Sequence, residues 1–250
     1  MSDYLSTKSI PVRERLIFAL DVPSAVDAKQ WVETLGDEVQ FYKLGLELFM
    51  ADGYFELIDW LRARGKQVFV DLKFFDVPET VASAVRQLKS RGATFATIHG
   101  NDAIMRAAVR EKGDLKILAV TALTSLDRGD LNDLGFACDP ETLVLSRARR
   151  ALAIGCDGVI SSGMEVARLR AELGNRLVVI TPGIRPVDND RPDDQKRTVD
   201  VRQAFLNGAD YIVVGRPIRQ AADPRAAARS IQAQIAAVIA EAALSPSDAI

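Results

Sequence analysis

The 250 residues are 48% hydrophobic and 26% charged, the balance of an ordinary globular protein with enough chain to bury one large core. A formal net charge of −2 supplies no broad positive field. That argues against nucleic acid or an acidic membrane surface as a partner, and any anionic ligand must be caught by local basic groups.

The first strand is expected in RLIFALDV from Arg15, followed by SAVDAKQWVETL with helical apolar spacing. QFYKLGLEL from Gln40 reads as the second strand and YFELIDWLRAR as a helix. QVFVDLK from Gln67 is the third strand, and PETVASAVRQLKSR the helix after it. FATIHG from Phe95 and KILAVTAL from Lys116 are the fourth and fifth strands. After the fifth, SLDRGDLNDLGF is an insertion ahead of the helical PETLVLSRARRALAI. DGVISS from Asp157, LVVITPG from Leu177 and YIVVGRPI from Tyr211 complete a set of eight. Between the seventh strand and the helix before the eighth runs GIRPVDNDRPDDQKRT, a polar, proline-rich loop long enough to serve as a lid. Gly36, Gly65, Gly92, Gly155 and Gly208 stand near predicted helix ends, where a left-handed cap favours glycine. PRAAARSIQAQIAAVIAEAAL is the final helix, and SPSDAI a frayed tail.

Strands alternating with helices imply parallel pairing and right-handed crossovers. Eight such units in about 230 residues fit a closed (β/α)8 TIM barrel of the α/β class better than an open doubly wound sheet. No composition break divides the chain. Residues 1–250 are therefore expected to form a single domain, with 1–14 as an N-terminal extension and 245–250 as the tail. Two cysteines, Cys138 and Cys156, are too few for a disulfide framework and read as reduced thiols. The opening MSDYLSTKSIPVRER lacks the apolar core of a signal peptide, and no apolar run reaches the roughly 18 to 20 residues that a bilayer demands. The expected protein is soluble and cytoplasmic.

Barrel enzymes carry their sites at the C-terminal mouth of the strands. Asp21 ends the first strand, Lys43 lies in the second, and Asp71 and Lys73 end the third. Alternation puts Phe69, Asp71 and Lys73 on one face, Phe41, Lys43 and Gly45 on another, and Ile17, Ala19 and Asp21 on a third. Neighbouring strands lie about 4.8 Å apart, so the four charges can come within mutual reach. A lysine among carboxylates is held as ammonium, the reverse of what a Schiff-base lysine needs. Lys73 suits the stabilisation of negative charge and the delivery of a proton. Asp71 beside it repels an anionic substrate group, until that group departs as a neutral molecule. Rim salt bridges, which stabilise by at most about 1 kcal/mol each, are the plainer account of any single one of these charges.

VVGRPI puts Gly215 and Arg216 just after the eighth strand, where barrels often hold a phosphate. Gly215 permits close backbone approach and Arg216 offers a charged fork. TPGIR adds Arg185 at the mouth end of the seventh strand, and Gln195 in the long loop could close over a ligand. His99, the single histidine, ends the fourth strand and reads as a packing residue. There is no Cys/His cluster of the kind a transition metal takes, and no Gly-x-Gly-x-x-Gly follows a strand.

The segments LIFALDV, FYKLG, DLKFFDVPET, LTS, TPGIR, DDQ and VVGRPI stand in the order and spacing of the orotidine 5'-phosphate decarboxylases, and the chain resembles that family from about Arg15 to the last helix. The Asp-x-Lys-x-x-Asp core alone is shared with related phosphate-binding barrels. The resemblance implies that orotidine 5'-monophosphate is the substrate and that no cofactor or metal takes part. It implies Lys73 as proton donor to C6 of the pyrimidine, Asp71 beside the departing carboxylate and Lys43 completing the charged array. Asp21 and Lys43 would hold the ribose hydroxyls, Thr124 would lie along the substrate, and Arg185, Gln195, Gly215 and Arg216 would grip the phosphate. Asp76 and Thr80 would reach into the partner's site in a homodimer. Many bacterial members carry His where this chain has Phe75 and Asn where it has Glu79.

Two other readings fit parts of the pattern. A magnesium-dependent sugar-phosphate decarboxylase or aldolase of the same superfamily uses a carboxylate on the second strand as metal ligand, where this chain has Lys43. A non-catalytic nucleotide-binding barrel would be expected to have lost Asp71 or Lys73.

Overall fold

A computed structural model describes residues 4–185 and 198–244. Residues 186–197, with Gln195, and the tail 245–250 lie outside the described residues.

The β-branched and aromatic runs form parallel strands β1 (Leu16–Ala19), β2 (Phe41–Leu44), β3 (Gln67–Phe74), β4 (Phe95–His99), β5 (Lys116–Val120), β6 (Gly158–Ile160), β7 (Val178–Thr181) and β8 (Tyr211–Val214). They pair in sequence order, and β8 returns to β1, so the sheet is a closed (β/α)8 barrel. The crossovers hold α1 (Ala25–Leu35), α2 (Leu46–Phe49), α3 (Tyr54–Ala63), α4 (Pro78–Lys89), α5 (Asp102–Glu111), α6 (Arg128–Asp133), α7 (Pro140–Ile154), α8 (Val166–Leu173) and α9 (Val201–Leu206), and α10 (Arg216–Arg219) and α11 (Pro224–Leu244) follow β8. Local chemistry sets the helix starts. Ser24 accepts the Asp27 N–H at 3.1 Å ahead of α1, and Asp139 accepts the Thr142 N–H at 2.7 Å ahead of α7. The five glycines expected at helix ends all take positive φ. Among the described residues no helix is long and apolar enough to cross a membrane.

One segment differs from the sequence reading, and two carry structure that it did not specify. The run QFYKLGLEL is strand only to Leu44, and Leu46–Phe49 wind into α2. Alternating leucines suit a short helix as well as a strand, so periodicity could not separate the two. The insertion after β5 contains α6, started by a reciprocal Asp127–Asp130 capping box. The N-terminal extension is fastened to the barrel. Ser6 donates to the buried Asp210 carboxylate, Lys8 Nζ reaches it at 3.1 Å, and Ile10 packs against the barrel interior.

Outward-facing strand residues make one apolar layer with the helices. Inward-facing residues make a second, in which Phe41, Phe69, Phe95 and Tyr211 meet ring to ring with centroids 5.1–6.0 Å apart. This aromatic plate fills the barrel's middle. The candidate site stands on it.

Candidate active site

Side chains two residues apart in a strand face the same way, so the residues one pleat beyond the plate also point inward. Beyond Phe41 stands Lys43, beyond Phe69 Asp71, and beyond Phe95 Thr97. The apolar plate lies below these groups, so their polar atoms can be satisfied only by one another or from the mouth. They satisfy one another. Lys43 Nζ lies 3.2 Å from Asp21 Oδ1 and 3.5 Å from Asp71 Oδ2, and Lys73 Nζ lies 2.9 Å from Asp71 Oδ1. The four charges that the sequence placed at adjacent strand ends thus form one continuous array. Gly45 makes room for it, since a Cβ there would lie 3.2 Å from Lys43 Nζ and 3.5 Å from Asp21 Oδ1.

β3 reaches this geometry through a bulge. Val70 pairs with Ala96, but the next pair is Phe74 with Ile98, so β3 spends four residues where β4 spends two. Lys73 lies within the bulge at φ 49°, the only non-glycine with positive φ among the described residues. Such a conformation costs a non-glycine residue about 1–2 kcal/mol. Because two extra residues leave the in-out alternation unchanged, Asp71 and Lys73 line the cleft while Leu72 and Phe74 pack against the outer layer. The predicted shared face is therefore observed, although the ladder beneath it is broken. Thr97, which the sequence reading did not single out, sits at the break. Its hydroxyl accepts the Lys73 N–H at 3.0 Å and donates to Asp71 Oδ1 at 2.9 Å. The signal available was its place two residues after Phe95.

Lys43 and Asp71, the two enclosed members, are kept charged by their neighbours. Burial works against the Asp71 carboxylate, but Lys43 and Lys73, helped by hydrogen bonds from Lys73 and Thr97, outweigh it and keep its pKa below the ordinary value. Burial works against the Lys43 ammonium too, and Asp71 and Asp21 overcome it, raising that pKa. His99 is half-buried, with its ring 4.6 Å from that of Phe75. Burial, then Arg147 and Lys73, lower its pKa, so it stays neutral. It lies outside the cleft lining.

The array forms one side of a cleft of about 210 Å3. Gly183 and Arg185 beyond β7, with Gly215 and Arg216 beyond β8, line it as well. A Cβ on Gly215 would meet the Ala19 Cβ at 3.3 Å, so the backbone does approach closely there. Of the expected site residues, Asp21, Lys43, Asp71, Lys73, Arg185, Gly215 and Arg216 come together in this cleft. Thr124 is in the turn after β5, half-buried and outside the lining. Asp76 and Thr80 are exposed and outside it, and Asp76 Oδ1 accepts the Val77 N–H at 2.6 Å. Gln195 falls outside the described residues. Among the described residues, no group of three His, Cys, Asp or Glu could hold a metal ion.

Residues 14–231 match the model of the orotidine 5'-phosphate decarboxylase / HUMPS family. The chain is 67% identical over 240 residues to the orotidine 5'-phosphate decarboxylase of Methylococcus capsulatus, a match covering 96% of this chain and 99% of that one. It is 51% identical to the enzyme of the same name from Stenotrophomonas maltophilia, over 94% and 99% of the two chains. Among solved structures, the orotidine 5'-phosphate decarboxylase of Lactobacillus acidophilus superposes with a TM-score of 0.79 at 33% identity, covering 89% of this chain and 99% of that one. A closed barrel with an Asp-Lys-Asp-Lys array at its mouth, matched over nearly its whole length, belongs to the orotidine 5'-phosphate decarboxylase / HUMPS family.

Proposed function

We propose that the chain decarboxylates orotidine 5'-monophosphate to UMP, the last step of de novo pyrimidine synthesis, by a metal-free route with Lys73 as proton donor. The observation that carries the reading is the Asp-Lys-Asp-Lys array on a closed apolar floor, in a cleft that Arg185 and Arg216 also line. The phosphate would lie against Arg185, Gly215 and Arg216, with Gln195 closing over it, and Asp21 and Lys43 would take the ribose hydroxyls. Thr124 would lie along the pyrimidine. Binding energy from that remote phosphate supports distortion and desolvation at the reacting carbon. The substrate carboxylate then meets the Asp71 carboxylate, which its lysines keep charged. Carbon dioxide departs neutral, the Lys73 ammonium stabilises the electron pair left on C6, and its proton completes the C–H bond.

Lys43 favours this reading over the magnesium-dependent one. Its ammonium sits between Asp21 and Asp71, where a divalent cation would need to bind, and repels one. The homodimer is proposed on the same grounds. Asp76 and Thr80 are exposed and outside the lining of their own cleft, Phe75 and Val77 beside Asp76 are exposed apolar side chains, and so are Leu46 at the start of α2 and Met50 just after its end. A second copy would cover that surface and receive Asp76 and Thr80 in its own site. Residence in the cytoplasm fits the free thiols Cys138 and Cys156.

Following the absorbance of orotidine 5'-monophosphate in the presence of EDTA tests the reading. The wild type should consume it. Lys73→Ala should lose at least about 10²–10⁴ in kcat while still binding UMP. Near-normal turnover by Lys73→Ala would end the assignment of Lys73.

A further inference from the structure

We infer that Thr97 is a positioning residue for the proposed decarboxylation: its one hydroxyl sets both the backbone of Lys73 and the carboxylate of Asp71. This rests on the decarboxylase reading above and adds a residue to it. The direction of both bonds follows from chemistry. An amide N–H can only donate, so Oγ1 accepts from Lys73. The hydroxyl proton is then left for Asp71 Oδ1, 2.9 Å away. Thr97 is wholly buried, so no water competes for either bond.

The bulge explains why such a residue is needed. Between Val70 and Phe74 the β3–β4 ladder is interrupted, and Lys73 has no ladder partner on β4. Its N–H would lack the acceptor that a regular parallel ladder provides, and the Thr97 side chain, 24 residues further along the chain, replaces that acceptor. A left-handed lysine persists only where its surroundings over-determine it. Lys73 is tied at both ends, through its N–H to Thr97 and through Nζ to Asp71. Asp71 is divided likewise, with Oδ1 shared by Thr97 and Lys73 and Oδ2 facing Lys43. The hydroxyl thus closes a ring from the Lys73 backbone through Thr97 and Asp71 to the Lys73 ammonium. The β-branch of threonine leaves it few χ1 choices, which keeps that ring in one geometry.

Thr97→Val keeps the shape and the branch but can neither accept nor donate; Thr97→Ser keeps the hydroxyl. In the orotidine 5'-monophosphate assay, Thr97→Val should lose about 10- to 100-fold in kcat, as expected for a misplaced reacting group, with KM within about threefold because the phosphate side is intact. Thr97→Ser should stay within about threefold of wild type in both constants. If the valine variant does not fold, Thr97→Ala against Thr97→Ser makes the same comparison. A crystal structure of the hydroxyl-free variant should show Lys73 leaving its positive φ and Nζ moved from Asp71. Wild-type kcat in that variant, equal losses in the serine and hydroxyl-free variants, or an unmoved Lys73 would each overturn the inference. The structural readout needs no substrate. A failure of the decarboxylase reading would show instead as a wild type that leaves orotidine 5'-monophosphate untouched.

Discussion

The buried ionic clusters around Asp210 and around Asp71 stand at opposite ends of the barrel strands, and they are finished differently. At the N-terminal end, the wholly buried Asp210 accepts from Ser6, from Lys8, from Arg170 at 2.8 Å and from the Val179 N–H at 2.8 Å. Arg170 spends its other donors on the carbonyls of Gly208, Gly174 and Leu177. At the mouth, the inner members Lys43 and Asp71 are about as enclosed, with side chains 12% and 11% exposed, but Lys73 and Asp21 are 33% and 45% open toward the cleft. A closed network fixes the chain; an open one keeps charge available for something that arrives. Charge alone does not separate the two, but the exposure of the outer members does.

The sharpest way to break this comparison is to remove one carboxylate from each end. Asp71→Asn should lose about 10²–10³ in kcat, since the two lysines lose the charge they are aimed by. Asp210→Asn should instead cost about 3–5 kcal/mol in urea unfolding, because it leaves buried cations without their partner, with kcat per folded molecule within about twofold of wild type. If the two variants exchanged their phenotypes, the distinction would be wrong.

A smaller effect sharpens it through pH. Asp71 has a folded pKa below its unfolded value of about 3.9, so its contribution to stability is complete above that value and is lost as pH falls through the lowered folded one. Lys43 has a folded pKa raised above about 10.4, so its contribution is complete below that value and is lost as pH rises through the folded one. The stability difference between wild type and Asp71→Asn should therefore be flat from about pH 5 to 10 and should shrink on acidification below about pH 4. Urea midpoints across that range check it. The smallest effect is expected at Glu79, one of the two departures from the bacterial pattern. It forms an exposed ion pair with Arg110 at 2.9 Å on the barrel's outside, and Glu79→Ala should leave the urea midpoint unchanged within error.

The closed barrel, and most of the cleft, could be read from residues that repeat a local rule. Asp21, Lys43 and Asp71 follow apolar strand residues at even spacing, and charge at a strand end is conspicuous. Thr97 was missed because threonine is an ordinary strand former, so its hydroxyl raises no alarm inside FATIHG. The β3 bulge left no mark either, for it contains neither glycine nor proline and does not alter which side chains face inward. The fastening of Ser6 to Asp210 joins positions 204 residues apart, and only the closure of β8 onto β1 brings them together. Leu46–Phe49 show the reverse failure, a local pattern equally good for two structures, decided by where the strand must stop.

The even count of the β3 bulge carries a consequence for any change in the length of that segment. Deleting one residue between Val70 and Phe74 would turn the ammonium out among the surrounding helices and bring a hydrophobic side chain round to the cleft. Removing two would preserve its heading but pull it back along the barrel axis. Insertions and deletions there are thus governed by arithmetic, odd steps inverting the site and even steps only sliding it.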